Sequence, residues 1–254
     1  MMEFKAVEFS YNRRDFIKDM DLTFEEGKIT AVIGPNGCGK STVLKLASRL
    51  LIPRKGKILL DGQDIRSHKN REFAKRVSVL MQSTHIPDMT VKQVVLSGRY
   101  PHQPPFGSFS KKDRDMAEDA MIQMNCQTLC HKSMNQLSGG ERQRVFLAMV
   151  MAQDTPYVFL DEPTTYLDIN VAYEMAELIQ QLNKTRHKTI VMVLHDMNLA
   201  LNYADRVILM EKGKVLACNP VDDYKLKDQI EETFQVKIQS VIREKKSLYY
   251  IIKK

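Results

Sequence analysis

KITAVIGPNGCGKSTVLKLASRLL, residues 28–51, decides how the chain folds. KITAVIG (28–34) is a short apolar run ending in glycine, which predicts a buried strand. STVLKLASRLL (41–51) places Val43, Leu46, Ala47 and Leu50 at helical spacing and predicts a helix stopped by Pro53. Between them GPNGCGKS matches G-x-x-x-x-G-K-[ST] in the strand–loop–helix setting that the motif requires. Gly34, Gly37 and Gly39 let backbone N–H groups turn inward on phosphate oxygens. The helix that follows adds its positive end. Lys40 supplies a point charge, and Ser41 a hydroxyl for Mg²⁺. The same setting predicts a lowered thiol pKa at Cys38.

Three more apolar runs follow: VSVLMQ (77–82), YVFLDE (157–162) and TIVMVLH (189–195). Helical segments separate them. One is VAYEMAELIQQL (171–182), with Val171, Met175, Leu178, Ile179 and Leu182 on one face. Continuous apolar runs alternating with helices predict a parallel sheet buried on both sides. Ligands of such sheets collect at the carboxyl ends of the strands. Here those ends carry the glycine loop, Gln82, the pair Asp161-Glu162, and His195. A carboxylate at a buried strand end needs a cation, and Mg²⁺ suits Asp161. Glu162, next in line, is placed to act as general base for water attacking phosphorus.

Other segments are antiparallel in character. KILLDGQDI (57–65) turns at Asp61-Gly62, and RVILMEKGKVLA (206–217) near Gly213. VKIQSVI and SLYYII predict a closing pair near the C-terminus. From about residue 83 to 152 helical patterns dominate, as in TVKQVVLSGRY and KKDRDMAEDAMIQM. The latter sets Met116, Ala117, Ala120, Met121 and Met124 on one stripe, read as core filler. PHQPPFGSF between them is a loop rich in proline and glycine. The expectation is one α/β domain over 1–254. Residues 1–82 and 153–254 form a mainly parallel core with an antiparallel β-subdomain, and 83–152 form an inserted α-helical subdomain.

The 254 residues carry a net charge of +7, which favours anionic partners. No apolar run reaches the ~18 residues of a membrane span, and MMEFKAVEF lacks the apolar core of a signal peptide. The expectation is a chain kept in the cytoplasm. Cys38, Cys126, Cys130 and Cys218 do not suggest a disulfide framework. Cys126 and Cys130 would share a helix face, and buried thiols are favoured there over a metal site.

QLSGGERQRV (136–145) reads as a second phosphate corner. Ser138 and Glu141 form a capping-box pattern ahead of the apolar stretch VFLAMVMA. Ser138 and the N–H groups of Gly139 and Gly140 are free to meet a phosphate, with Arg142 and Arg144 adding positive potential. Nothing within one chain requires a second triphosphate site.

Taken together these residues resemble the nucleotide-binding subunit of the ABC transporter family. GPNGCGKST is similar to its Walker A loop, YVFLDEPT to its Walker B strand, and LSGGERQR to its signature. Gln82 matches the Q-loop, TTYLD ending at Asp168 the D-loop, and His195 the switch histidine. Tyr11 in EFSYN stands where the family stacks an aromatic on adenine.

The resemblance implies the ABC ATPase fold, a P-loop NTPase core. ATP and Mg²⁺ are expected at Tyr11, at Gly34, Pro35, Asn36, Gly37, Cys38, Gly39, Lys40, Ser41 and Thr42, and at Ser138, Gly139, Gly140, Glu141 and Asp168. Ser41, Gln82 and Asp161 would serve the metal, and Glu162, His195, Gln82 and Lys40 the catalysis. It also implies a head-to-tail dimer in which the signature of one copy closes the Walker A site of the other.

SGRYPH (97–102), DEPTTYLDI (161–169) and LHDMNLALNYADRVILMEKGKVLACNP (194–220) resemble the importer branch for iron–siderophore, haem and cobalamin chelates. Pro104-Pro105 departs from that branch's glycine-rich stretch, and Glu141 stands for its commoner glutamine. The expected partners are a second copy, integral membrane permease subunits docking around residues 82–110, and indirectly an extracytoplasmic binding protein. The expected location is the cytoplasmic face of the cell membrane, with no nucleic acid. The competing expectations are a soluble ABC ATPase acting on nucleic acid, ribosomes or cofactor assembly, and a nucleotide sensor that does not hydrolyse. The chain has neither the doubled cassette nor the long coiled-coil insertion of the former. Against the latter it keeps both Glu162 and His195.

Overall fold

The computed structural model describes every residue except 12–13, 83–85, 105, 244–245 and 254. Pro105 of the departure noted above, and part of the expected docking segment, thus lie outside the described residues. Ten of the strands fall into two sheets. The first contains β1 (Met2–Tyr11), β2 (Arg14–Phe24), β4 (Lys55–Leu60) and β5 (Gln63–Asp64), in the order β2-β1-β4-β5, all antiparallel. The second contains β3 (Ile29–Ile33), β6 (Val77–Leu80), β7 (Tyr157–Asp161), β8 (Thr189–Val193), β9 (Arg206–Glu211) and β10 (Lys214–Pro220). Its order is β10-β9-β3-β8-β7-β6, parallel throughout except for β10 at one edge.

The apolar runs fill both faces of that second sheet. In β7, Val158 and Leu160 enter one core cluster while Tyr157 and Phe159 enter the other. Ile190 and Met192 of β8, and Val191 and Val193, divide the same way. One cluster lies under the first sheet and α1 (Lys40–Ala47). The other lies under α6 (Ile169–Arg186), α7 (Met197–Tyr203), α8 (Tyr224–Phe234) and the helices of the insertion. Those are α3 (Val91–Ser97), α4 (Lys111–Gln123) and α5 (Gly139–Ala152), while the short α2 (Asn70–Ala74) precedes β6. A separate pair, β11 (Val236–Arg243) with β12 (Lys246–Lys253), closes the fold through buried Tyr249.

Several sequence expectations are adjusted by the structure. Helix α1 ends at Ala47, short of Pro53. The Ser48 hydroxyl donates to the Leu44 carbonyl at 2.8 Å, Arg49 turns left-handed (φ 60), and the N–H groups of Leu50 and Leu51 fold back onto Lys45 O. Leu50 is therefore exposed rather than on the buried face. In α4 the stripe of Ala117, Ala120, Met121 and the capping Met124 is buried, with Met116 only half-buried. Cys126 and Cys130 bracket a 3₁₀ turn, Gln127–Leu129, so they do not share a helix face. All four thiols are free, and no metal-binding group of three or more His, Cys, Asp or Glu occurs among the described residues. Among those residues no helix is long and apolar enough to cross a membrane.

Candidate functional site

The strand order explains why the site forms. Strands β6, β7, β8 and β3 are consecutive neighbours, so their carboxyl ends stand in a row. That row brings together Gln82, Asp161-Glu162, His195 and the loop after Ile33. A cleft of about 450 Å³ opens there. Its walls include Asn36, Gly37, Gly39, Lys40, Ser41 and Thr42 of the loop, with Gln82, Glu162 and His195 across from them.

Packing dictates the loop's path. Gly34 sits at φ 153, and a Cβ there would collide with the Met210 carbonyl of β9. The Gly213 N–H, in the β9–β10 turn, donates to Cys38 O at 2.9 Å. Lys40 is buried, and its Nζ donates to Gly34 O at 2.8 Å and Pro35 O at 3.2 Å. The ammonium is thus held over its own loop. Cys38 reverses the sequence expectation: burial pushes its thiol pKa up, and that outweighs the lowering by nearby Lys40.

Beneath the loop the Ser41 hydroxyl donates to Asp161 Oδ1 at 2.8 Å. Burial, then the charge of adjacent Glu162, hold the Asp161 carboxyl above its ordinary value, against the Ser41 hydrogen bond. A buried carboxylate so weakly compensated suits a cation. The hydroxyl can keep its proton on Asp161 while a lone pair faces a metal. The pair therefore fits a Mg²⁺ ion that takes few protein ligands and completes its shell with water and phosphate oxygens.

Glu162 is the centre of the polar network. It adopts the left-handed conformation (φ 55), and its side chain is 12% exposed. His195 Nε2 lies 2.6 Å from Oε1. Gln82 Nε2 donates to Oε2 at 2.9 Å, and the Thr165 hydroxyl donates to the same oxygen at 3.0 Å.

Other expected residues lie off the cleft wall. Tyr11 packs edge-on against Phe9 and Phe16, its hydroxyl 3.3 Å from Thr42 Oγ1. Phe16 lines the cleft instead, together with Thr165 and Tyr166. None of these three was singled out in the sequence. Thr165, three residues past Glu162, was the one with a usable signal. Asp168 is exposed at the N-terminus of α6, its side chain making no cap. Ser138 to Glu141 open α5 as a complete capping box. Ser138 Oγ accepts the Glu141 N–H, and the Glu141 carboxylate accepts the Ser138 N–H at 2.8 Å. Ser138 and Gly139 are exposed, and no other group lies within 4 Å of where a Gly139 Cβ would be. This second corner contributes nothing to the cleft of its own chain.

A glycine loop between strand and helix, with an aspartate, a glutamate and a histidine on the adjoining strand ends, defines a nucleotide-binding ATPase of the phosphate-loop class. The sequence profile of the ABC transporter family matches residues 17–165, and the chain belongs to that family. It is 39% identical to a petrobactin import ATP-binding protein of Bacillus anthracis, over 94% of this chain and 88% of that one. It is 41% identical to the ferric enterobactin transport ATP-binding protein of Escherichia coli K12, over 84% of this chain and 79% of that one. Among solved structures, a dimeric ATP-binding cassette in a post-hydrolysis state with ADP and phosphate matches with a TM-score of 0.76 and 26% identity. That match covers 88% of this chain and all of the cassette.

Proposed function

We propose that this chain is the ATP-hydrolysing, energy-coupling subunit of an importer for an iron–siderophore or related haem or cobalamin chelate. The observation that carries the ATPase half is the Glu162 network at the mouth of the phosphate loop. The transport half is supported by relatives named for petrobactin import and ferric enterobactin transport. Membrane permease subunits are then required as separate partners, and the chain works against the cytoplasmic face of the membrane.

In this reading Lys40 leaves its loop carbonyls for the β- and γ-phosphates of ATP, and the loop N–H groups surround them. Phe16, backed by Tyr11, offers the aromatic surface for adenine. Ser41 and Asp161, with Gln82 nearby, would hold Mg²⁺, which would supply positive charge to the phosphates. Glu162 accepts the proton of a water whose oxygen attacks the γ-phosphorus, and the bond to the ADP oxygen breaks. His195, with Nε2 against Oε1, orients the base beside the γ-phosphate. Ser138, Gly139, Gly140 and Glu141 act on a second copy, where the orphan N–H groups of the α5 N-terminus close over its ATP. Asp168 lies on the same dimer face.

Deletion of the gene tests the transport half. Growth on iron chelates, haem or corrinoid should fail while growth on free iron or the end product persists. Unchanged uptake of all three, with no redundant cassette present, would refute the substrate class. A purified chain without Mg-dependent ATPase activity, alone or with its permease, would refute the ATPase half.

A further inference from the structure

The three donors on Glu162 differ in how they are attached. Gln82 and His195 reach it from beyond the ends of β6 and β8. Thr165 belongs to the same turn as the glutamate. Its N–H bonds to the Glu162 carbonyl at 3.3 Å, and its hydroxyl bonds to Glu162 Oε2 at 3.0 Å. Pro163 occupies the first corner of that turn, where its fixed φ belongs. Glu162 (φ 55) and Tyr166 (φ 63) bracket the segment in left-handed conformations that only a well-determined local structure sustains in non-glycine residues. Hydroxyl and carboxylate are therefore one rigid unit, whatever the neighbouring strand ends do.

A carboxylate oxygen has two lone-pair sites. On Oε2 they are taken by Gln82 and Thr165. On Oε1 the only partner among the described residues is His195, which leaves capacity for a water. We propose that Thr165 is a positioning residue for ATP hydrolysis: its hydroxyl pins Oε2 and so aims Oε1 as the oxygen that takes the proton of the attacking water. The proposal rests on Glu162 being the general base. If Gln82 leaves when nucleotide enters, Thr165 keeps the carboxylate from rotating.

The test compares Thr165→Val, which keeps the shape but loses the donor, with Thr165→Ser, which keeps the donor, using Mg–ATP as substrate. Thr165→Val should lower kcat about tenfold, the weight of one charge-assisted hydrogen bond. KM and the thermal midpoint should stay near wild type. Thr165→Ser should restore kcat to within about twofold, as expected when only the hydroxyl matters. In a Glu162→Gln background, Thr165→Val should cause no further loss, because the pinned group no longer accepts a proton. Thr165→Ala gives the same readout if valine does not fit. Wild-type kcat in the donor-free variants overturns the proposal, as does a defect that serine does not rescue or one that falls on KM or stability. Near wild-type turnover of Glu162→Gln alone would instead remove the base assignment, whatever Thr165 does.

Discussion

The separation of the two phosphate corners sets up a complementation experiment. Lys40→Ala removes the ammonium that bridges Gly34 O and Pro35 O, and with it the charge meant for phosphate. Ser138→Arg puts a long side chain on an exposed helix start. It forfeits the Ser138 cap at a cost of about 1 kcal/mol, too little to unfold a domain. The bond from the backbone N–H of residue 138 to Glu141 is kept. Each variant alone should be inactive, because both sites of its homodimer are damaged. Mixed in equal amounts and allowed to reassort, about half the dimers are mixed, and each has one site with both lesions and one with none. If sites fire independently, turnover should recover to about a quarter of wild type, half the sites in half the dimers. If they must fire together, one ATP per mixed dimer should be trapped. Steady-state phosphate release and filter-bound nucleotide measure the two outcomes. A verified mixed dimer that neither hydrolyses nor traps ATP would refute the shared site and leave residues 138–141 as a capped helix start.

Three further expectations follow from the site. Glu162→Gln should bind ATP normally, since Gln82 can flip its amide and Thr165 can rotate its hydroxyl to suit the new group, yet hydrolysis should fall by ~10²–10⁴; near wild-type phosphate release would exclude the base. Asp161→Asn should melt above wild type at neutral pH without nucleotide. The folded Asp161 carboxyl binds its proton above the ordinary 3.8, so the folded state loses stability as pH rises through that window, and asparagine removes the loss. The gap should close below pH 3.8, and a variant that melts lower at neutral pH contradicts the sign. Cys38, buried with its thiol pKa raised, should be alkylated more slowly than the half-buried Cys218. Mass-mapped labelling in the reverse order would show the loop to be open and Cys38 accessible.

The parallel strands were legible because both of their faces are buried, so each reads as an unbroken apolar run. The turns at Asp61-Gly62 and Lys212-Gly213 were legible because both residues of each pair hold positive φ. The β1–β2 hairpin was not. Its register shifts at several points, and Ala6 and Asp19 take positive φ, so the alternation that marks a strand is broken. Gln82, Asp161, Glu162 and His195 stood out because polar groups at the ends of buried strands are conspicuous. Phe16 carries no such mark, since its place on the cleft depends on where the hairpin folds. The capped start of α5 was visible as local chemistry, while a role on another copy has no trace in the spacing of one chain.

The bond from Gly213 to Cys38, with the close fit of Gly34 under Met210, ties two distant parts of the gene together. Each residue added to or removed from β9 would slide the hairpin turn by about 3.3 Å along the strand direction. The turn would then miss the loop it steadies, although the sheet could absorb the change elsewhere. Drift in the length of β9 is therefore barred by a loop encoded far upstream. An insertion library through this chain should show an intolerant window at residues 206–213, although none of them lines the cleft.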